Sequence, residues 1–472
     1  MNTKFSLLII LFLQVLFLAC KTTDKALNTE AIAPSSFRNA DENSQADSAG
    51  IALIAWREFF NDAILQRLID TAIVHNMDMQ LAIKNIEAAQ QTLKQAKAGY
   101  LPDVNLQVSA NTTRPSDNSL NGLSLNQFLG SKHIEDYTAA LALSWEADIW
   151  GKIKNQKAAA LAGYLQTEEA KKAVQTQLVS YVAQGYYNLL MLQAQLKIAQ
   201  QNLALNDSTL NIIKQQYDVG EITLLGLEQA EAQRLAAASL IPDFEQQINI
   251  QENALSILSG KLPEAVATET TLDKIEIPQN LTTGVPSLLL SRRPDVKRAE
   301  LAVVAARANK QYAKASMYPS LTISAQAGVN SFKASNWFNI PASLFGTVAG
   351  GIAQPILQRR QLKTNYKLAE IDQEKTVIQF RQSVITAVGE VSDALIALDK
   401  LEEKQSIALN RTSKLQSAIH NADLLFNTGM ANYLEVITAQ SNVLQSELEL
   451  AQIKKAQLVA MVDLYRSLGG GW

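Results

Sequence analysis

The side chains that most often perform catalysis or bind metals are few and scattered in this sequence. Its three histidines are His75, His133 and His420, and none stands in a motif with the spacing of metal ligands. No nucleophile–base pattern and no glycine-rich phosphate loop occurs, and the acidic residues are spread along predicted helices, where solvated surface is the default. The sequence therefore predicts a protein that binds no metal or cofactor and is not an enzyme.

The single cysteine, Cys20, has the most specific chemistry in the chain. An apolar run over residues 5–18 ends at Ala19 and Cys20, which predicts a secretory signal peptide at 1–19. A small residue followed by cysteine resembles a bacterial lipobox, in which the cysteine becomes the new N-terminus and carries acyl chains. Ordinary cleavage with a leftover thiol is the alternative, but a free thiol is a liability in an oxidising compartment. We expect residues 20–50, which are polar, to form a lipidated tether.

Composition excludes one class of partner and indicates long helices. The formal net charge of −3 gives no basic surface for nucleic acid. Apolar residues make up 47% of the chain but aromatic residues only 6%, so the apolar content is mostly Ala, Leu, Ile and Val. Packed helices have this composition. After residue 20 no apolar run is long enough for a membrane-spanning helix.

Two long proline-free stretches, 152–218 and 358–427, are each followed by a lone glycine, Gly220 or Gly429. A glycine there is typical of the left-handed residue that ends one helix and lets the next run back antiparallel. We therefore expect two helical hairpins, and the first long helix alone would span about 100 Å. Further helices are predicted at 75–99, at 222–259 with a kink or interruption at Pro242, at 293–317 and at 431–467.

Four stretches alternate apolar and polar residues, the last less cleanly than the others, and predict strands with one face of each kind. They lie at about 102–112, 137–149, 319–330 and 343–356. A polar loop is expected at 111–136, between the first two. Trp145 and Trp150 lie near one end of that hairpin, and aromatic residues at strand ends are typical of outer-membrane barrels. A soluble hairpin packed on a helix is the alternative.

The order of elements repeats along the chain. Pro102, after the first short helix, matches Pro319 at an offset of 217, and Gly220 matches Gly429 at an offset of 209. Such self-similarity indicates an internal duplication. The predicted repeats are residues 51–280 and 281–472, with their hairpin tips at 220 and 429.

Four strands are too few to close a membrane barrel, because single-chain barrels start at eight strands. Open strand edges are not tolerated in lipid, so several chains must associate around an axis. The predicted fold class is mainly α with a membrane β-barrel. Three chains would form one 12-stranded barrel with twelve columns of long antiparallel helices.

Four segments resemble a known family: 144–153 (SWEADIWGKI), 253–260 (NALSILSG), 292–300 (RRPDVKRAE) and 429–436 (GMANYLEV). They resemble the outer-membrane factor family, the TolC-like exit ducts of bacterial efflux pumps, and within it the NodT-type lipoproteins. The resemblance covers nearly all of the mature chain. It implies a homotrimer with a β-barrel in the outer membrane and a periplasmic α-barrel formed by the long helices. This duct would receive substrates from a periplasmic adaptor and an inner-membrane transporter of the proton-driven RND type.

The segment at 292–300 also has a structural interpretation. Pro294 suits the first turn of a helix, and Asp295 suits the positive end of the helix dipole. We expect Arg292 and Arg293 to pair with carboxylates around the tunnel.

The resemblance further implies a gate and a docking surface at the hairpin tips. In related ducts an apolar residue just past the second tip glycine and an acidic residue four positions later constrict the inner end. Leu434 matches the apolar position, but Thr438 stands at the acidic one, which makes the neighbouring Glu435 the acidic candidate. Three Glu435 side chains near an axis would favour cations, and a solvated helix glutamate is the alternative. The adaptor-docking candidates are Val219, Gly220, Thr428, Gly429 and Met430.

Three functions remain open from the sequence. The first is a passive exit duct of an efflux system in the outer membrane. The second is an outer-membrane duct for type I protein secretion, which the fold does not separate from efflux. The third is a periplasmic scaffolding lipoprotein, which the four alternating strands disfavour.

Overall fold

A computed structural model describes residues 37–38, 51–277, 286 and 289–472. The predicted signal peptide at 1–19 and Cys20 lie outside these residues. Within the predicted tether, only Phe37 and Arg38 are described.

The helices and strands follow the order that the duplication predicts. The α-helices are α1 (Trp56–Phe59), α2 (Ala63–His75), α3 (Met77–Ala98), α4 (Leu120–Leu129), α5 (Lys152–Asp218), α6 (Leu224–Leu258), α7 (Leu289–Arg292), α8 (Pro294–Ala315), α9 (Gln361–Asn427) and α10 (Tyr433–Ser467). The strands are β1 (Asp103–Thr113), β2 (Ile134–Ala147), β3 (Ser320–Ser331) and β4 (Leu344–Ala353). Short 3₁₀ turns occupy Ile51–Leu53, Leu272–Lys274 and Ala334–Asn336.

The two repeats build helices of equal length. The short helices α3 and α8 have 22 residues each. The long helices α5 and α9 have 67 residues each. The return helices α6 and α10 have 35 residues each. A short and a return helix placed end to end span about 85 Å, close to the roughly 100 Å of a long helix.

Three predictions were wrong in detail, and a fourth was right at most in part. The helix predicted at 75–99 begins later, because the Asn76 side chain accepts hydrogen bonds from the amides two and three residues on and separates α2 from α3. The predicted polar loop at 111–136 contains α4. Of the two effects predicted for Pro242, the interruption does not occur, because α6 continues through this exposed position, and the kink stays a prediction. The second long helix begins at Gln361 and not at 358, because the backbone just before it is left-handed.

The long helix α5 organises the helical part of the chain. Helices α3 and α6 pack along one side of it and α8 and α10 along the other, while α9 packs beyond α8 and α10. The chain thus forms a wall of four columns in the order α3/α6, α5, α8/α10 and α9. The outer two columns are the edges of the wall.

Equivalent contacts join the stacked helices in both repeats. In the first repeat, Asn76 Nδ2 donates to the carbonyl of Leu258 at the end of α6, at 3.0 Å. In the second, Arg293 stands 217 positions after Asn76, and its Nη1 donates to the carbonyl of Ser467 at the end of α10, at 3.1 Å. Each bond satisfies a carbonyl that the helix end leaves without an intrahelical donor.

Arg293 is buried and pairs with two carboxylates. Its Nε and Nη2 donate to the two carboxylate oxygens of Asp295 at 3.0 and 2.6 Å, and its Nη1 donates to Glu390 Oε2 at 2.8 Å. Burial by itself raises the pKa of Asp295, but the hydrogen bonds and charge of Arg293 bring it below its usual range. Pro294 opens α8, as predicted. The pairing predicted for Arg293 is confirmed, whereas the described residues give Arg292 no carboxylate partner.

The four strands form one antiparallel sheet in the order β1-β2-β3-β4. The register aligns Leu106 with Leu141, Leu141 with Ala327, and Ala327 with Gly346. One face therefore carries almost only apolar side chains. The opposite face carries Asn, Gln, Ser and Thr on β1 and β3, but also Ala140 and Ala142 on β2 and Phe345 and Ala349 on β4. The strands begin and end within a few residues of the predicted bounds. The predicted apolar and polar faces are present on β1 and β3, whereas β4 carries mostly small and apolar residues on both faces.

Aromatic rings lie at both ends of the apolar face. At the end next to the helices, Trp145 Nε1 donates to the carbonyl of Tyr100 at 2.9 Å. At the far end, the ring centroids of Tyr137 and Trp337 are 5.5 Å apart. An apolar band between two aromatic belts is the pattern of a strand that crosses an outer membrane.

The main cores lie where the short segments pack on the long helices. Leu65, Ile69 and Tyr186 are fully buried in the larger core between α2, α5 and α10. A second core between α8, α9 and α10 includes Val391 and takes in the side chain of Phe37, so this part of the predicted tether is packed. Within the described residues, no helix combines the length and hydropathy needed to cross a bilayer.

Candidate functional site

The first hairpin tip is a tight left-handed turn. After α5 ends, Val219 and then Gly220 follow, and Gly220 has φ = +84°. A Cβ at Gly220 would touch nothing within 4 Å, so the positive φ, and not crowding, favours glycine here. Thr223 then caps α6, with its side chain accepting from the amide of Gly226. Val219 is 73% exposed, which leaves this tip open to a partner.

The second tip repeats the turn with additional hydrogen bonds. Gly429 has φ = +75°, and again a Cβ would meet nothing within 4 Å. The Thr428 hydroxyl donates to the carbonyls of Leu424 and Leu425 at 3.1 and 3.0 Å. Met430 is 78% exposed. The structure thus brings each predicted docking residue to a hairpin tip.

Glu435 has a structural role that the sequence analysis did not assign. Asn432 Oδ1 accepts from the amides of Leu434 and Glu435 at 3.0 and 3.1 Å. In return, Glu435 Oε2 accepts from the amide of Asn432 at 3.2 Å. This is a capping box, which satisfies orphan amides at the start of α10. The spacing of Asn432 and Glu435 was the signal that could have revealed it.

The three predicted gate residues share the first two turns of α10. Leu434 is 56% exposed, and Glu435 and Thr438 are also exposed. Leu434 and Thr438 are four residues apart, so their side chains lie on one face of the helix. Glu435 is three residues before Thr438 and borders that face. Together they form a polar surface with one large apolar side chain.

A contact between the two hairpins was missed by the sequence analysis. The Tyr433 hydroxyl donates to Gln229 Oε1 at 2.7 Å, which joins the start of α10 to the start of α6. A Cβ on Gly226 would lie only 3.1 Å from the Tyr433 ring, so the absence of a side chain there lets the ring approach. Phe426 and Val436 are buried in the same small core. The two tips are therefore packed against each other as one unit.

The described residues contain no group of three or more His, Cys, Asp or Glu that could hold a metal ion. The arrangement at the tips offers exposed apolar and polar side chains on rigid helices. Chemically it suits contact with another protein and passage of solutes along a surface.

Comparisons with known proteins identify the family. The model of the outer membrane efflux protein family matches residues 68–261 and 285–470. The cation efflux system protein CusC of Escherichia coli O6:H1 is 31% identical over 92% of this chain and 90% of its own length. The probable outer membrane lipoprotein SilC of Salmonella typhimurium is 30% identical over 88% of each chain. The toluene efflux pump outer membrane protein TtgF of Pseudomonas putida is 30% identical over 89% of this chain and 86% of its own length.

A solved structure agrees with these relatives. The crystal structure of CusC matches with a TM-score of 0.78 and 28% identity, over 93% of this chain and all of that one. The apolar sheet face, the aromatic belts and the wall of long helices are thus features of an outer-membrane channel. The chain belongs to the outer membrane efflux protein family and is the outer-membrane duct of an efflux system.

Proposed function

We propose that three copies of this chain form one continuous duct, with its gate at the second hairpin tip. The observation that carries this proposal is the pair of open edges: within the described part of the chain, β1 and β4 each lack a neighbour on one side, and α3/α6 and α9 end the helical wall. Unpaired strand edges are not stable in lipid, so copies must close the sheet. Twelve strands and twelve helical columns result from three copies.

The exposed side chains of the two wall edges support this closure. Along α9, Ile371, Ile378 and Ile385 recur every seven residues and are 45%, 66% and 62% exposed. A seven-residue apolar stripe is the pattern of a helix that packs against another helix. The opposite edge also exposes large apolar side chains, including Leu81 at 62% and Ile257 at 65%. We propose that these edges meet between neighbouring copies.

We infer that the gate consists of Leu434, Glu435 and Thr438. The first turn of α10 is fixed by the capping box, so three such turns around the axis would present their side chains at defined positions. Three carboxylates of Glu435 close to the axis would attract cations and repel anions. The tip of the first hairpin has no acidic residue in the equivalent turn, because Gly226 occupies the position of Glu435.

Two substitutions separate the charge of Glu435 from its capping role. Glu435→Gln removes the charge but keeps a side chain that completes a capping box, whereas Glu435→Ala removes both. In planar bilayers, we expect both variants to lose cation preference. Only Glu435→Ala should also speed amide exchange at Asn432. If Glu435→Gln keeps the wild-type reversal potential, Glu435 serves as a cap alone and the gate proposal fails.

We further propose that a periplasmic adaptor grips Val219, Gly220, Thr428, Gly429 and Met430, and that an inner-membrane transporter of the proton-driven RND type delivers the substrate. Relatives named for cation efflux and for toluene efflux are almost equally similar to this chain, which supports substrate choice by the transporter and not by the duct. Lipidation of Cys20 is part of the proposal and is supported by the name of SilC. Mass spectrometry of the mature N-terminus tests it, and an unacylated Cys20 would refute it.

A further inference from the structure

The turn between β4 and α9 differs from its counterpart in the first repeat in a way that the fold does not require. At the offset of 209 that relates α5 to α9, Asp148, Trp150 and Gly151 correspond to Leu357, Arg359 and Arg360. Both turns connect a membrane strand to a long helix. They therefore lie at the boundary between the outer membrane and the periplasm.

In the first repeat, each of the three residues stabilises the turn. Asp148 accepts from the amides of Ile153 and Lys154, both at 2.9 Å, and so caps α5. Trp150 Nε1 donates to the carbonyl of Pro319 at 2.7 Å, which folds the ring onto the protein. Gly151 has φ = +72°, a conformation that glycine adopts without strain.

In the second repeat, all three of these stabilising features are absent. Leu357 is 94% exposed and, unlike Asp148, has no oxygen in its side chain that could accept from helix amides; within the described residues, the Arg360 side chain does not cap α9 either. Arg359 and Arg360 have φ of +48° and +64°, a region that disfavours side chains with a Cβ. The turn is thus strained and uncapped, and it presents two cations next to an exposed apolar side chain.

The apolar part of this turn continues the membrane face of the sheet. Ile352 lies on the apolar face of β4, and the next large apolar residues, Ile356 and Leu357, are 86% and 94% exposed. Arg359 and Arg360 follow after Gln358 and are also exposed. Acyl chains would cover the apolar residues, and phosphate groups would pair with the guanidinium groups, since clusters of cations beside a membrane attract anionic lipids.

We propose that the turn from Ile356 to Arg360 is a binding site for anionic phospholipid in the periplasmic leaflet of the outer membrane. Ile356 and Leu357 enter the acyl region, and Arg359 and Arg360 bind the phosphate. Bound lipid offsets the strain of the turn and fixes the start of α9. The first repeat, whose turn is closed on the protein, has no such site.

The test uses the full-length protein in detergent with added phosphatidylglycerol or phosphatidylethanolamine. Each cation beside an anionic surface contributes about a fivefold gain in affinity, so Arg359→Gln with Arg360→Gly should lower the apparent affinity for phosphatidylglycerol about 30-fold. The double variant should also be at least as heat-stable as wild type without lipid, because glycine relieves the strain at position 360. Arg381→Gln, on α9 about 30 Å further along, is the matched control and should bind as wild type.

Native mass spectrometry of the oligomer and the lipid-dependent midpoint of thermal unfolding are the readouts. Selective retention of phosphatidylglycerol by wild type and by Arg381→Gln, and its loss in the double variant, support the proposal. If wild type retains phosphatidylglycerol and phosphatidylethanolamine equally, and both lipids shift its unfolding midpoint equally, the proposal is overturned. Retained selectivity in the double variant also overturns it, and dissociation of that variant into monomers would assign the turn to an interface between copies.

Discussion

Substitution of Arg293 by methionine tests whether the junction between α8 and α10 depends on the buried cation. Methionine fills a similar volume but removes four hydrogen bonds: two to Asp295, one to Glu390 and one to the carbonyl of Ser467. Breaking a buried ion pair from one side typically costs about 3–5 kcal/mol. The side chains of Asp295 and Glu390 are 41% and 33% exposed, so water can rehydrate both, and the lower limit of about 3 kcal/mol applies.

The expected change in melting temperature follows from the size of the chain. Unfolding entropy is about 2.1 cal/mol/K per residue, which gives about 1 kcal/mol/K for a chain of 472 residues. A loss of about 3 kcal/mol per chain therefore lowers the midpoint by about 3 °C. The expected shift is the same for a monomer and an oligomer, because the lost free energy of unfolding and the unfolding entropy both scale with the number of chains. Arg293→Lys keeps the charge but loses the planar guanidinium group. Its melting temperature should therefore lie between those of wild type and Arg293→Met.

Differential scanning calorimetry in detergent measures this shift, with Arg292→Gln as the control on the adjacent arginine. The effect should also depend on pH. Arg293 holds the pKa of Asp295 below its usual range, so the stabilisation is present above that range and is lost as the pH falls through the lowered value. The difference between wild type and Arg293→Met should accordingly shrink in acid. A shift below about 1 °C at neutral pH, or an equal shift in Arg292→Gln, would refute the reasoning.

Two further predictions concern the hairpins and the wall edge. Tyr433→Phe removes the hydrogen bond to Gln229, worth about 1 kcal/mol, and should raise amide exchange in the first turns of α10 about fivefold; unchanged exchange would show that the contact does not hold the tips together. Ile378→Glu places a charge in the proposed interface, where an unpaired charge costs several kcal/mol, and should abolish the SDS-resistant oligomer. Gln379→Glu, about 100° around the helix, should keep it, and an intact oligomer in both variants contradicts the assignment of this edge.

Local signals in the sequence were sufficient for the regular elements. The bounds of α5 were predicted to the residue, because an uninterrupted proline-free stretch ends at a lone glycine. The strands were predicted within a few residues, because their two faces meet lipid and water and must alternate. The break at Asn76 was missed, although an asparagine is a common helix cap. The helix α4 was missed because its surroundings are polar and resemble a loop.

The contacts that define the candidate site could only partly be predicted. The capping box at Glu435 is local, and its spacing was present in the sequence. The bond between Tyr433 and Gln229 joins residues 204 positions apart, and no periodicity indicates such a partner. The carbonyl of Ser467, a partner of Arg293, lies 174 positions away and is indicated by no local pattern either. The fold could therefore be predicted from patterns, whereas the contacts between helices distant in sequence required the structure.

The equal lengths of the helices in the two repeats restrict how this chain can tolerate insertions and deletions. One residue added to α9 would rotate every later side chain by about 100° and move the second tip by about 1.5 Å relative to the first. The shift would separate Tyr433 from Gln229 unless α5 lengthened by the same amount. Compensation would also be needed in α6 and α10, whose ends meet Asn76 and Arg293. Length changes should therefore occur in matched sets of helices, or in the turns, where a single residue can be added without altering the register of the wall.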